Sequence, residues 1–286
     1  MVVGVMMLPI GDGAIKLLSG RYPLAQLLWM KYFPFFWFIL LITKWRHGSG
    51  VFIVGKTITI LLVSRALFWL AASWCYFTAI KYMPLANASA IALSAPLILV
   101  VLLVLLQRDK IPPIHFLAVV VGLVAMLLVI RPGFEGFNSA SMAALGAAFL
   151  GACYLFMSRI LRNGVSPLVQ MSYQLTVGAL LLTPLMPFVW VRPTSVDLML
   201  FIAASLVYVL GHLLITSAFN FAEASLLAPC IYSTIITNSV IGYFLFGDLP
   251  DIFTSVGILL LVIVGIYISM KDPTLRPRIL YHTAKP

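Results

Sequence analysis

Charged side chains are scarce in this chain. Only 9% of its 286 residues are Asp, Glu, Lys or Arg, where soluble domains carry roughly 25%. With 63% hydrophobic residues, a soluble fold is excluded, because so thin a polar shell cannot cover that much apolar surface. Acidic residues are the fewest, eight in all, and none are clustered. The three cysteines, Cys75, Cys153 and Cys230, fall inside apolar runs and give neither a disulfide framework nor a CxxC spacing. The four histidines are His47, His115, His212 and His282. None belongs to an HExxH motif, and no Walker A loop occurs. No metal, no cofactor and no direct use of ATP are therefore expected. No A-x-A-like site follows the first apolar stretch, so a cleavable leader is not expected either.

What fills the chain is apolar runs of about 17 to 25 residues, each able to cross a hydrocarbon layer roughly 30 Å thick. They are continuous, as in Ile58 to Leu70 or Ile258 to Ile268, and do not alternate as barrel strands do. Lipid offers no partner to backbone N–H and C=O groups, so such runs must be helices. Punctuation by Gly, Pro and charge marks ten segments, roughly 1–18, 24–43, 57–80, 84–106, 112–130, 140–161, 167–190, 196–219, 224–246 and 252–270. The expected fold is an all-α membrane protein.

The two halves repeat. At a shift of 139, Ala79 falls on Ala218, Ser94 on Ser233 and Asp109 on Asp248. At a shift of 144, "YPLAQLLW" from Tyr22 echoes "SPLVQMSY" from Ser166. Five spans per copy is an odd number, so the second copy enters the membrane from the opposite side. The net charge is +10, but the basic residues sit singly between apolar runs and read as topology signals rather than as a nucleic-acid surface. With a cytoplasmic N-terminus, eleven face the cytoplasm: Lys44, Arg46, Lys56, Arg108, Lys110, Arg159, Arg162, Lys271, Arg276, Arg278 and Lys285. Five face the other side: Lys16, Arg21, Lys81, Arg131 and Arg192. Both termini are thus expected in the cytoplasm. The expected division is a first repeat over 1–133, a second over 138–271, and a cytoplasmic tail over 272–286.

Four stretches carry a resemblance to a known family: "GDGAIKLLSGRYPLAQLLWMKY", "YFTAIKYMPLANASAIALSAPL" ahead of "LLQRDKI", "GHLLITSAFNFAEASLLAPCIYS", and "YFLFGDLPDIFTSVGILLLVIVGIYI". In this order and spacing the chain resembles the EamA family of the drug/metabolite transporter superfamily over essentially its whole length. The resemblance implies ten transmembrane helices in two inverted five-helix repeats around a central cavity. It also implies transport of a small metabolite such as an amino acid, a nucleoside or a vitamin.

Ionisable groups inside spans are costly and so are functional candidates. Asp12 and Lys16 lie four apart on one helix face. Asp12 and Lys31 flank the Arg21 turn at similar depth, about 1.5 Å per residue. An Asp12–Lys31 or Asp12–Lys16 ion pair is expected, either structural or coupled to transport. Arg65 opens a face that continues through Trp69, Ser73 and Tyr76. It either snorkels or holds an anionic group or a carboxylate. At the repeat-equivalent positions Trp69 matches Tyr208, and Ser73 matches His212. These two faces either line one cavity for a planar or amphipathic solute or are packing surfaces with satisfied polar tips. Asn87, Ser94, Tyr154, Gln174, Tyr232 and Asn238 are further candidates for cavity lining or interhelical bonds. Pro96 and Pro229 interrupt one helix in each half, as in broken-helix transporter sites.

The reading is a secondary transporter with a small-molecule substrate in the cytoplasmic (inner) membrane, a monomer or weak homodimer among lipids. The alternatives are an intramembrane transferase, which would need a base paired with a nucleophile, and a passive channel, which would need a filter ring. In a background without the native cysteines, Gly48→Cys is expected to label from the cytoplasm and Asn138→Cys from the opposite side. Labelling of both from one side overturns the inverted arrangement.

Overall fold

The structure is a computed structural model, and it describes residues 1–48, 55–107, 113–130, 138–161, 164–218, 230, 233–248 and 250–271. All regular structure among these residues is helical. In chain order the helices are α1 (Val2–Leu18), α2 (Leu24–His47), α3 (Lys56–Tyr82), α4 (Leu85–Ala92), α5 (Ala95–Gln107), α6 (Pro113–Ile130), α7 (Ser139–Leu161), α8 (Pro167–Leu182), α9 (Met186–Val189), α10 (Ser195–Ala218), α11 (Ser233–Phe246) and α12 (Ile252–Lys271). A 3₁₀ turn over Thr183–Leu185 joins α8 to α9. Two pairs make one span each, α4 with α5 over Leu85–Leu106 and α8 with α9 over Pro167–Val189. Large apolar side chains face outward along the bundle, among them Trp45, Leu105, Phe188 and Phe244. In a chain of this composition that surface is a lipid-facing one. The protein is an all-α, multi-pass membrane protein.

The helix pairings show the repeat directly. α3 packs on α7, and α1 packs on α10; α5 packs on α7, and α1 packs on α11; α3 packs on α8, and α2 packs on α10. Each pairing is the repeat counterpart of the one named with it. Three further pairs, α2 with α8, α4 with α11 and α6 with α12, join equivalent helices, and α4 also packs on α7. This is the pattern of a pseudo-two-fold axis running between the halves.

Local signals set the helix ends. Ser166 accepts a bond from the Val169 N–H with Pro167 in the first turn, a cap followed by the residue that lacks an orphan donor. Asn138 accepts from the N–H groups of Ala140 and Ser141 at the start of α7. The fourth span breaks at Leu93–Ser94, just ahead of Pro96, which lacks the N–H needed to continue the ladder. The equivalent Pro229 lies outside the described residues. Gly247 has φ +69°, a conformation that strains any side chain. It turns the chain back so that the Asp248 N–H donates to the Gly242 carbonyl.

Close packing uses small residues. The backbones of α1 and α10 touch at Gly4 and Gly211, where an added Cβ on either residue would lie 2.8–2.9 Å from the other's carbonyl oxygen. Without a hydrophobic drive between helices in lipid, such close approach supplies the contact energy. Pro34 lies inside α2 and leaves the Met30 carbonyl without its usual donor. Ser205 of α10 donates to that carbonyl at 2.7 Å, so a kink in one repeat is closed by a hydroxyl from the other. Gly211→Val is expected to lower the melting temperature by several degrees and reduce monodisperse yield. Gly20→Ala, which meets nothing within 4 Å, should change neither. Equal behaviour of the two variants in a thermal-unfolding assay would show that the α1–α10 contact does not hold the bundle.

Candidate functional site

The deepest polar cluster lies where α1, α2, α3 and α10 meet. Asp12 of α1 is buried, 8% exposed. Its carboxylate accepts the Tyr76 hydroxyl of α3 at 3.2 Å and the Tyr208 hydroxyl of α10. Gly11 makes the second bond possible, because a Cβ there would run into the Tyr208 ring. The Tyr76 hydroxyl is also 2.9 Å from Ser89 of α4, and the amide of Asn238 on α11 donates to Ser89 at 2.6 Å. One hydrogen-bonded path thus runs from Asp12 through Tyr76 and Ser89 to Asn238, crossing from the first repeat to the second.

Lys31 of α2 is half-buried. Its ammonium lies 4.1 Å from the Tyr208 ring centroid and 4.7 Å from that of Phe77. The expected ion pairs of Asp12 therefore give way to a different arrangement. Asp12 is held by two hydroxyls, and Lys31 sits on aromatic faces within electrostatic reach of it. Lys16 pairs instead with Asp248 at 2.9 Å and donates to the Met83 carbonyl at 3.0 Å. The reason is position: Lys16 is at the last turn of α1, and the Gly247 turn brings Asp248 to that end of the bundle. A pair near the membrane edge also costs less desolvation than one at mid-depth.

Arg65 does not snorkel. It is 7% exposed, and all its bonds go inward to neutral groups. Nε donates to Ser158 at 2.7 Å, Nη2 to Tyr154 at 2.6 Å, and Nη1 to the Gln170 carbonyl and to Gln174 Oε1, both at 3.3 Å. The guanidinium also lies over the Tyr154 ring at 4.3 Å, and the Trp69 ring packs against that of Tyr154 with centroids 4.7 Å apart. Arg65, Trp69, Tyr154 and Gln174 therefore form one wall built by α3, α7 and α8. Next to it, Tyr32 of α2, the residue after Lys31, donates to Ser73 at 3.2 Å. His212, one turn after Tyr208 on α10, lies within electrostatic reach of both Lys31 and Arg65.

Three buried oxygens have no hydrogen-bond partner among the described residues: Asn87 Oδ1, Thr237 Oγ1 and Asn238 Oδ1. They belong to α4 and α11, the broken-helix side of the bundle. Tyr232 lies outside the described residues. Thus Asp12, Lys31, Tyr76, Tyr208 and His212 come together with the Arg65 wall, Asn87 sits on the neighbouring α4, and Lys16 stands apart at one end. Tyr32, Ser89, Ser158 and Gln170 are members that sequence reasoning missed. Ser158 lies four residues from Tyr154, and Gln170 four from Gln174, a helical spacing that marks a shared face.

Two ion pairs, Lys16–Asp248 at 2.9 Å and Arg21–Asp197 at 3.0 Å, both join the first repeat to the second at the same end of the bundle. Tyr22 reinforces the second by donating to Asp197 at 2.6 Å. That bond, with burial, raises the Tyr22 phenol above its ordinary pKa. Gln26 adds a two-way amide contact with the Val191 backbone.

Hydrogen bonds to a charged group contribute about 1.5–3 kcal/mol each, so Arg65 should tie α3 to α7 and α8 measurably. Arg65→Lys keeps the charge but cannot meet all four acceptors, and a clear fall in melting temperature is expected. Tyr154→Phe should fall less, since the ring contacts remain. An Arg65→Lys melting curve that overlays the parent would show the network to be dispensable.

Comparison with known proteins places this arrangement. The pseudopaline exporter of Pseudomonas aeruginosa is 27% identical over 260 residues, 90% of each chain. The S-adenosylmethionine uptake transporter of Rickettsia felis is 24% identical over 267 residues, 91% of this chain and 88% of its own. The riboflavin transporter of Vibrio cholerae is 27% identical over 173 residues, 59% of this chain and 57% of its own. A solved crystal structure shares the fold with a TM-score of 0.60 at 17% identity, covering 94% of this chain and 95% of that one. The profile of one family matches residues 4–131 and again residues 138–271, the two repeats seen in the helix pairings, and the chain therefore belongs to the EamA-like transporter family.

Proposed function

We propose that this protein is a secondary transporter that moves a small organic metabolite across the cytoplasmic membrane by alternating access. The observation that carries the proposal is the cluster of Asp12, Lys31, Tyr76, Tyr208 and His212 between the repeats, beside the Trp69–Tyr154 wall. Small-molecule sites combine apolar walls with a few placed polar groups, and transporter sites of this kind lie at the repeat interface near mid-membrane. The relatives named for pseudopaline, S-adenosylmethionine and riboflavin support a small-molecule cargo. Both termini face the cytoplasm in this reading. The repeats span 1–133 and 138–271, the tail 272–286 is cytoplasmic, and the protein works as a monomer or weak homodimer.

In this mechanism the Lys16–Asp248 and Arg21–Asp197 pairs close the outer end, and they part when the repeats rock. Met83 and Asp248 are both held by Lys16, so one ammonium release frees α3 from the end of α11. Arg65, Trp69, Tyr76, Asn87, Tyr154, Gln174, Tyr208 and His212 are the cargo-binding residues in this reading, with Tyr232, outside the described residues, as the ninth candidate. The sequence carries no Walker A loop, so the drive is an ion or solute gradient, and Asp12 is the group that takes the coupling proton. A proton on Asp12 removes the acceptor charge that holds both Tyr76 and Tyr208, which loosens the join between α3 and α10.

The test uses purified protein in liposomes with a cargo found by thermal-shift screening of metabolites. Asp12→Asn is expected to abolish accumulation against a gradient while counterflow exchange survives, because exchange needs the motion and not the net proton. His212→Ala and Trp69→Ala should weaken cargo binding without lowering the yield of folded protein. Accumulation by Asp12→Asn at the parental level would remove Asp12 from coupling.

A further inference from the structure

Among the described residues the central cluster is short of negative charge. Lys31 and Arg65 both stand within spans, and Asp12 is the one described carboxylate at their depth. Asp197 and Asp248 are paired at the end of the bundle, and Asp251 caps α12 through the Thr254 N–H. Asp12 itself is committed to two tyrosine hydroxyls. Arg65 bonds to neutral groups alone. An excess cation in a low-dielectric interior is costly unless something pairs with it.

The two cations differ in what they leave open. Arg65 has five N–H donors, and four of them are taken. Lys31 has three donors, and its ammonium makes no hydrogen bond to any described residue. It rests on the Tyr208 and Phe77 rings. Cation–π contact of this kind contributes about 2 kcal/mol at best, and it leaves the N–H groups unused. Those rings hold the ammonium in place without neutralising it. Ser73, which Tyr32 bonds, shares α3 with Trp69, whose ring meets that of Tyr154 at a 40° tilt, and Arg65 lies over Tyr154.

We infer that the transported solute is an organic oxyanion, whose charged end docks on the Lys31 ammonium while a flat or apolar body lies on Trp69 and Tyr154. This rests on the transporter reading and adds the charge class of the cargo to it. His212, within electrostatic reach of both cations, adds an imidazole to the same site. Asp12 keeps Tyr208 in position under Lys31, and its single carboxylate offsets only one of the two cations, so the site keeps a net positive charge for the solute. Lys31 thus becomes a specificity-determining residue rather than half of a structural pair.

The test uses matched probes that differ only in charge: indole-3-acetate, its neutral amide, and tryptamine. The protein is held in nanodiscs of phosphatidylcholine, so that no anionic headgroup can supply the same chemistry. Thermal stability at millimolar probe is expected to rise for indole-3-acetate and not for the other two. Indole-3-acetate should also protect Lys31 from an amine-acylating reagent, read by peptide mass spectrometry, and tryptamine should not. Lys31→Met, if gel filtration shows it folded, should weaken anion binding about tenfold or more, the loss of one strong contact. Lys31→Arg should keep the preference. The mass-spectrometric footprint reads the same site in the parent protein if Lys31→Met fails to fold. Equal effects of the three probes, binding of tryptamine alone, or no effect of indole-3-acetate overturns the inference. Counterflow in liposomes separates the two levels. Exchange of neutral or cationic solutes without anion preference sinks the charge assignment and leaves the transporter reading intact. Anion binding at Lys31 without any exchange sinks transport and leaves the charge assignment intact.

Discussion

The carboxylate of Asp12 accepts hydroxyls from both repeats, and much of the interior is arranged around that fact. A lone carboxylate in a membrane span must be solvated by protein or lose its charge. Here Tyr76 brings α3 to it and Tyr208 brings α10, so that two helices related by the pseudo-two-fold are joined through one side chain of a third. Gly11 gives Tyr208 room to approach. Ser89 and Asn238 extend the same network to the α4–α11 pair. The result is a polar seam that runs across the repeat interface.

The same accounting explains features that look unrelated. Pro34 frees a carbonyl in α2, and Ser205 of the opposite repeat fills it. Thr43 of α2 and Ser172 of α8, an equivalent pair of helices, meet at 2.7 Å. Individual bonds of this kind average only about 0.6 kcal/mol in membranes, so their value lies in fixing which surfaces face each other. Arg65 differs in degree. It gathers acceptors from two helices of the second repeat onto α3 and makes a rigid wall there.

The spans were legible in the sequence because lipid leaves a long apolar helix no alternative, and the repeat was legible because Trp69, Ser73, Ser94 and Asp109 have counterparts at a constant shift. The break in the fourth span could be read from Pro96. Partners were harder. Helical spacing put Lys16 on the face of Asp12, yet which neighbour a residue in the last turn meets depends on a loop from the other end of the chain, and Gly247 with Asp248 supplied it. Spacing likewise marked Arg65 and Trp69 as one face without naming Tyr154, Ser158, Gln170 and Gln174 as its contacts, since these come from the second repeat. Lys31 was legible as a buried cation, but its seat on Phe77 and Tyr208 depends on three helices meeting.

The placement of the ion pairs has a consequence for how the protein meets its surroundings. Both link the repeats at one end, and they are unequally sheltered: the Arg21 side chain is 70% exposed, whereas Lys16 is 11% exposed. Dissolved ions screen an exposed pair over about 8–10 Å and a sheltered one far less. Brine on that side of the membrane would therefore loosen one latch before the other, while the same brine on the opposite side would leave both untouched. The ionic strength of a single compartment thereby sets how firmly the two repeats are joined at that end.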